Sequence, residues 1–313
     1  MSDLTIPARF IGCDVGKAEI VVFDSLGGQT TSLPNQPPAL AAFAATLDDA
    51  SLVVCEATGG HELPLLDALA TAGRAVHRAD ARKVKAFIRS FGTLGKSDAI
   101  DARALARYGS ERHDRLARWT PRERSRERLH LLVATRRDLV GQRVACSNRL
   151  QAPGSAPVAD RLTRLLALIE QEIAGIEADI QLLIQAHEPL ARADAILRAI
   201  PGIGPVTAMQ IVALMPELGT ISRRQAAALA GLAPHPRQSG NREGYRRTRG
   251  GRPEIKQALF MAGLAAARHN PTLRAFYQRL RHNGKKPLVA LTAVMRKMIV
   301  IANARMRDAI CSN

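Results

Sequence analysis

The chain has 313 residues, of which 46% are hydrophobic but only 4% aromatic, and its net charge is +17. That length suits two domains, or one with a long insertion, and a core of Ala, Leu, Ile and Val suits helix packing. The four cysteines are scattered without C-x-x-C spacing, which argues against a disulfide framework and a zinc site. We read no apolar run of membrane-spanning length and no leader, so the expectation is a cytoplasmic protein with no membrane partner. The charge is concentrated: residues 222–313 carry 19 Lys or Arg against three acids, whereas the first 221 residues are nearly neutral. A basic C-terminal third is the footprint of a polyanion binder, most often nucleic acid. The basic segments lack the Trp/Phe-rich apolar face of an interfacial helix.

In chain order, residues 9–14 read as a short strand ending in Asp14, and Val15-Gly16-Lys17 as a turn. Residues 19–24 pair back as a hairpin, with a third strand at 29–33. A helix follows over residues 39–47, started by Asn35 and Pro37. Residues 51–56 are a buried-type strand ending in Glu56, and Ala57-Thr58-Gly59-Gly60 turns into a helix over 62–72. A strand at 74–78 and a helix at 82–90 complete the series. Strands first in a hairpin and then alternating with helices predict an α/β domain with a mixed sheet.

Open α/β sheets place their sites beyond strand ends, where Asp14 and Glu56 both lie. Ser97 is an N-cap residue before an Ala-rich helix, on which Asp98 and Asp101 share a face. Two acids in a first turn also answer the helix dipole by themselves. If the two strands are neighbours and this helix packs across their edge, four carboxylates converge. Such a cluster is repulsive unless cations neutralise it, and two Mg²⁺ (or Mn²⁺) ions about 4 Å apart do so while clamping an in-line phosphoryl displacement.

Residues 122–151 and 158–186 form two long helical patterns, broken by Ala152-Pro153-Gly154-Ser155-Ala156-Pro157. The second carries Leu162, Leu165, Leu166, Ile169, Ile173, Ile176, Ile180, Leu183 and Ile184, a coiled-coil-like seam. An antiparallel arm for dimerisation or spacing is expected.

Ile200-Pro201-Gly202-Ile203-Gly204-Pro205 lies between helices at 193–199 and 206–214, and has the form of a helix-hairpin-helix turn. Gly202 and Gly204 would permit the bend, leaving backbone N–H groups free for a phosphate. After a helix at 222–230 comes an expected ordered loop, residues 231–240, which presents Ser239. The basic run that follows contains Arg242, Arg246, Arg247, Arg249 and Arg252. With Arg237, these arginines are candidates for bidentate phosphate contact. Three more helices are expected at 253–269, 271–281 and 287–304.

The motifs Ile11-Gly12-Cys13-Asp14-Val15-Gly16-Lys17, Cys55-Glu56-Ala57-Thr58-Gly59 and Lys96-Ser97-Asp98-Ala99-Ile100-Asp101-Ala102 resemble those of the DEDD transposases of bacterial insertion sequences. Ser97 stands where that family more often has Thr. Residues 199–267, with Pro236-Arg237-Gln238-Ser239-Gly240 and Arg249-Gly250-Gly251-Arg252, are similar to its C-terminal transposase domain. The resemblance implies an α/β RuvC-like domain with a ribonuclease-H-type sheet at 1–115. It further implies a coiled-coil arm at 116–190 and a mainly α-helical transposase domain at 191–313. By the same token Asp14, Glu56, Asp98 and Asp101 would hold divalent metals, and Ser239 would attack DNA to form a phosphoserine. Donor and target DNA would be chosen by a guide RNA from the element's flanks. The metal domain of one subunit would meet the serine domain of another in a dimer or tetramer, in a bacterial cytoplasm at the nucleoid.

Three rivals remain at this level, one of them a catalytically dead nucleic-acid-binding protein. A metal-dependent Holliday-junction-type nuclease attacking with water needs the four acids but not Ser239. An actin-like kinase also begins with Asp-x-Gly after a strand, but a second Asp-Gly phosphate loop is missing and the basic tail would go unexplained.

Overall fold

A computed structural model describes residues 7–92, 95, 97–121, 123–239 and 242–312, with the backbone alone described for 237–239 and 242–245. The chain divides into two units, Met1–Arg122 and Glu123–Asn313.

In the first unit, β1 (Arg9–Val15), β2 (Glu19–Asp24) and β3 (Gln29–Pro34) form an antiparallel meander. Helix α1 (Pro37–Ala45) leads to β4 (Ser51–Glu56), which lies parallel to β1. Helix α2 (Leu63–Thr71) leads to β5 (Ala75–Ala79), parallel to β4. The sheet order is β3-β2-β1-β4-β5, the mixed sheet expected and consistent with a RuvC-like domain. Composition explains the order. The central β4 is covered on both faces, so Leu52, Val53, Val54 and Cys55 are all fully buried and read as one apolar run. The edge strand β3 is polar, Gln29-Thr30-Thr31-Ser32, and stops at Pro34.

One face of the sheet (Ile11, Cys13, Val15, Val53, Cys55) packs on Leu40, Leu65, Leu66 and Leu69 from α1 and α2. The other face is covered by α3 (Ala81–Arg89) and α4 (Asp98–Arg112), with Leu52 and Val54 meeting Val84, Phe87, Leu105 and Tyr108.

The second unit opens with α5 (Arg124–Leu150) and α6 (Ala159–Ala186), paired back to back over their length. Arg136 Nε donates to Glu177 at 2.7 Å near the middle, and Cys146 packs with Ile169 and Ile173 farther out. At about 1.5 Å per residue each helix spans roughly 40 Å. The expected division at residue 190 dissolves here. Leu129, Val133, Ile180, Leu183 and Ile184 at the base of the arm belong to the same hydrophobic core as the helices that follow.

Those helices are α7 (Glu188–Arg198), α8 (Pro205–Leu214), α9 (Arg223–Leu229), α10 (Pro253–His269), α11 (Pro271–His282) and α12 (Pro287–Cys311). Contrary to the sequence expectation, α12 is long and apolar enough to cross a membrane by length and composition. Its Leu291, Val294, Met295, Met298 and Ile299 instead fill the core of this unit. The loop expected at 231–240 and the basic run after it also differ: they form a hairpin, β6 (Pro234–Ser239) and β7 (Arg242–Thr248). Neither sequence shows the apolar alternation by which strands are recognised.

Helix α4 lies directly on β1. A Cβ at Gly12 would stand 1.8 Å from the Ala102 carbonyl oxygen and 2.5 Å from the Ala106 nitrogen. Gly12→Ala is therefore expected to push α4 off the sheet and to destabilise the fold by about 3 kcal/mol or more. Chemical denaturation of the purified variant measures this, and an unchanged midpoint would contradict the packing.

Candidate active site: strand-end carboxylates and the serine hairpin

Along β1, Phe10, Gly12 and Asp14 face α4, while Ile11, Cys13 and Val15 face α1 and α2, as the alternation of a strand requires. On β4 the same parity puts Val54 and Glu56 on the α4 side. The parallel register pairs Cys13 with Cys55, so Asp14 and Glu56 stand one step further, side by side at the ends of adjacent strands.

Helix α4 runs over this face in a fixed direction. A Cβ at Gly109 would meet Val54 Cγ2 at 2.8 Å and Phe10 Cδ1 at 3.5 Å, whereas Ala102 and Ala106 lie over Gly12. From Gly109 back to Ala102 the helix thus travels toward Asp14. Its buried stripe is Ala102, Leu105, Ala106 and Gly109. Asp98 and Asp101 lie four residues before Ala102 and Leu105, so they continue the sheet-facing stripe into the first turn. Ser97 caps that turn, accepting from the Ile100 N–H at 3.3 Å. Lys96, which opens the motif, lies outside the described residues.

All four acids therefore belong to one end of one face. Asp14, Glu56 and Asp101 are half-buried and Asp98 is exposed. Hard oxygen donors of this kind suit Mg²⁺ or Mn²⁺ rather than a soft metal. Among the described residues, no three acid, histidine or cysteine side chains already stand close enough to hold an ion.

The turn after Glu56 is fixed by a residue that the sequence did not single out. Glu62 is completely buried, and its Oε2 accepts from the N–H groups of Thr58 at 3.0 Å and Gly60 at 2.9 Å. Its Oε1 accepts from both Nε (2.9 Å) and a terminal nitrogen of Arg78 on β5. Burial alone would raise this carboxyl. The backbone donors and the Arg78 guanidinium outweigh it and hold Glu62 below the usual glutamate range. Sixteen residues separate the pair, and no local motif announces it.

Cys13 and Cys55 are not candidate nucleophiles. Burial pushes the Cys13 thiol well up, helped by Cys55 and Asp14, and burial pushes Cys55 up to about 12. Both are protonated at neutral pH.

In the second unit, β6 and β7 pair from Pro234–Thr248 at the base to Ser239–Arg242 at the far end, with a bulge between His235 and Arg237. Pro236 lacks an N–H for the ladder, which is the usual reason for a bulge. Ser239 thus ends β6 opposite Arg242, and the side chains of Ser239, Arg237 and Arg242 lie outside the described residues.

The hairpin base is anchored tightly. A Cβ at Gly251 would stand 2.2 Å from the Gly231 nitrogen, and one at Gly231 would stand 2.6 Å from the Gly250 oxygen. Both glycines also have positive φ, 72° and 67°.

Arg246, Arg247 and Arg249 are exposed, as phosphate ligands should be. Arg252 is not: its guanidinium donates to both Glu217 oxygens, at 2.8 and 2.5 Å, and to the Leu214 carbonyl at 2.6 Å. That pairing raises its pKa and makes it a brace for the hairpin base rather than a phosphate ligand.

Gly202 likewise has a packing reason. Its φ is +105°, and a Cβ there would meet Ala266 Cβ at 2.7 Å. Gly204 is the N-cap of α8 and nothing lies within 4 Å of a Cβ placed there, so its backbone remains approachable.

Comparison with known proteins supplies the family. Residues 11–153 match a family profile for a transposase of the IS110 DEDD type, and residues 194–278 match the profile described as "Transposase IS116/IS110/IS902 family". The chain belongs to the IS110-type transposases. The first match runs from β1 through α5, and the second from α7 through the hairpin into α11. The transposase is 27% identical to a pilin gene-inverting protein of Moraxella lacunata, over 82% of this chain and 80% of that protein. It is 28% identical to that of Moraxella bovis, over 72% and 70%. An uncharacterised 43.6 kDa protein of insertion element IS110 from Streptomyces coelicolor is 32% identical over 48% of this chain and 37% of its own length. Membership makes DNA the substrate and, through the DEDD domain, makes divalent-metal dependence general to this enzyme.

Replacing Glu62 with Ala would strand the Arg78 charge and two N–H groups, and is expected to cost about 3 kcal/mol. The sign with pH follows from the depressed carboxyl. The stabilisation is complete above the ordinary glutamate value and fades as pH falls through the lower folded value. The stability gap between wild type and Glu62→Gln should therefore shrink in acid. A gap that is constant with pH would refute the ion pair.

Proposed function

We propose that Asp14, Glu56, Asp98 and Asp101 hold the divalent cations of this transposase and that Ser239 is its nucleophile.

 All four carboxylates serve as ligands, and Ser239 supplies the attacking oxygen. The observation that carries this reading is the sheet-facing stripe of α4, which ends in Asp98 and Asp101 at the strand ends that carry Asp14 and Glu56. Bound cations would neutralise these acids and stabilise charge on the phosphate oxygens. Mg²⁺ is the expected ion, as a pair.

The residues of the chain do the rest. Ser239 Oγ attacks the phosphorus, the bond to the deoxyribose 3′-oxygen breaks, and that oxygen leaves with a proton. The 5′-phosphate stays on the serine as a phosphodiester. A 3′-hydroxyl of another strand then attacks the same phosphorus, the bond to Ser239 breaks, and the serine recovers a proton. Arg246, Arg247 and Arg249, nearer the hairpin base than Ser239, would hold phosphates of the bound strand. The turn at Gly202–Gly204 would add a backbone contact at the α8 N-terminus without reading sequence.

Relatives that invert a pilin gene support cutting coupled to rejoining, because inversion leaves no broken ends. A guide RNA choosing donor and target, and a dimer or tetramer as the working form, belong to the same proposal. Leu131, Val144, Leu165, Leu168 and Leu182 are exposed along the helical arm and offer apolar surface for self-association.

Ser239→Ala is expected to abolish the denaturation-resistant protein–DNA adduct. Asp98→Asn should lower adduct yield by at least about a hundredfold while DNA binding stays within about threefold. Adduct yield and binding are read by denaturing gel and by titration. Strand exchange surviving in Ser239→Ala would leave water as the nucleophile and sink the serine mechanism.

A further inference from the structure

Beside the base of the hairpin, α12 presents a concavity of about 390 Å³. Its apolar lining includes Pro234 from β6 and Leu288, Val289 and Ala293 from the first turns of α12. Arg246 and Arg247 from β7, and Arg296 one turn further along α12, also line it. None of its described lining residues is acidic. Leu288 is 63% exposed, although Leu291, Val294, Met295, Met298 and Ile299 of the same helix are buried in the core.

We propose that this concavity seats one unstacked nucleotide of the DNA strand bound along the hairpin. The apolar wall suits the flat face of a base, and guanidinium groups suit the attached phosphate and can stack on the ring. A stacked duplex cannot fill such a concavity, since its bases lie inside the helix and only its backbone meets a protein surface. Position supports the same occupant. Five residue steps along β6 lead from Pro234 to Ser239, roughly 17 Å of strand, so the seated nucleotide lies within a few steps of the scissile phosphate. This inference rests on the hairpin being the strand-exchange element. It adds a reason for the DNA to be held open there.

The test compares binding of the full chain to a short oligothymidylate and to an abasic deoxyribose-phosphate strand of the same length. Wild type is expected to prefer the strand with bases by at least about fivefold. Leu288→Gln, at an exposed position, and Ala293→Phe, which fills the concavity, should each bring that preference close to unity. Affinity for the abasic strand should stay within about twofold, and circular dichroism checks that the variants fold. Equal binding of both strands by wild type, or a preference that survives both substitutions, would overturn the proposal. An acidic peptide that competes for the site as well as the oligothymidylate would also overturn it, in favour of a protein occupant. Ser239→Ala should keep the base preference while losing the adduct, so failure of the pocket and failure of the serine mechanism are told apart.

Discussion

Helix α4 rests on β1 through backbone rather than side chains, and the geometry of the acidic end depends on that contact. Gly12 has no Cβ, and Ala102 and Ala106 above it are small, so helix and strand approach more closely than larger residues would permit. Gly109 does the same against Val54 and Phe10. Two such points fix both the height and the direction of the helix, and so decide where its first turn falls. The acids on that turn gain a defined place from contacts several residues away, at positions that carry no charge and no reactive group.

The two chemical elements are supported in different ways. Asp14 and Glu56 end central strands of a five-stranded sheet, and the turn after Glu56 is held by the buried Glu62 carboxylate and Arg78. Ser239 ends a two-stranded hairpin whose base is anchored by close glycine contacts and by Arg252 on Glu217.

Charge is distributed less simply than the totals suggest. The near neutrality of the first 221 residues is an average: residues 1–73 hold two Lys or Arg against nine acids, and residues 74–122 hold thirteen against five. Helix α3 turns Val84 and Phe87 inward and leaves Arg82, Lys83, Lys85 and Arg89 exposed. The first unit thus has a basic side of its own, on the face of the sheet that also carries the acids.

Much of this was legible in the sequence because it depends on local rules. Strand runs, Pro at helix starts, the Ser97 cap and the breaker at 152–157 marked nearly every element, and the acids stood at strand and helix ends. The hairpin at 234–248 is not legible in the sequence, because its polar strands lack alternation. Arg252 was grouped with its neighbours by composition, but its role was set by Glu217, thirty-five residues away. What the sequence determined alone was the family, through motifs that resemble those of the DEDD transposases, and most of the local elements. Only the tertiary structure decided which charges face a substrate and which brace the fold, because that depends on long-range packing that no local pattern encodes.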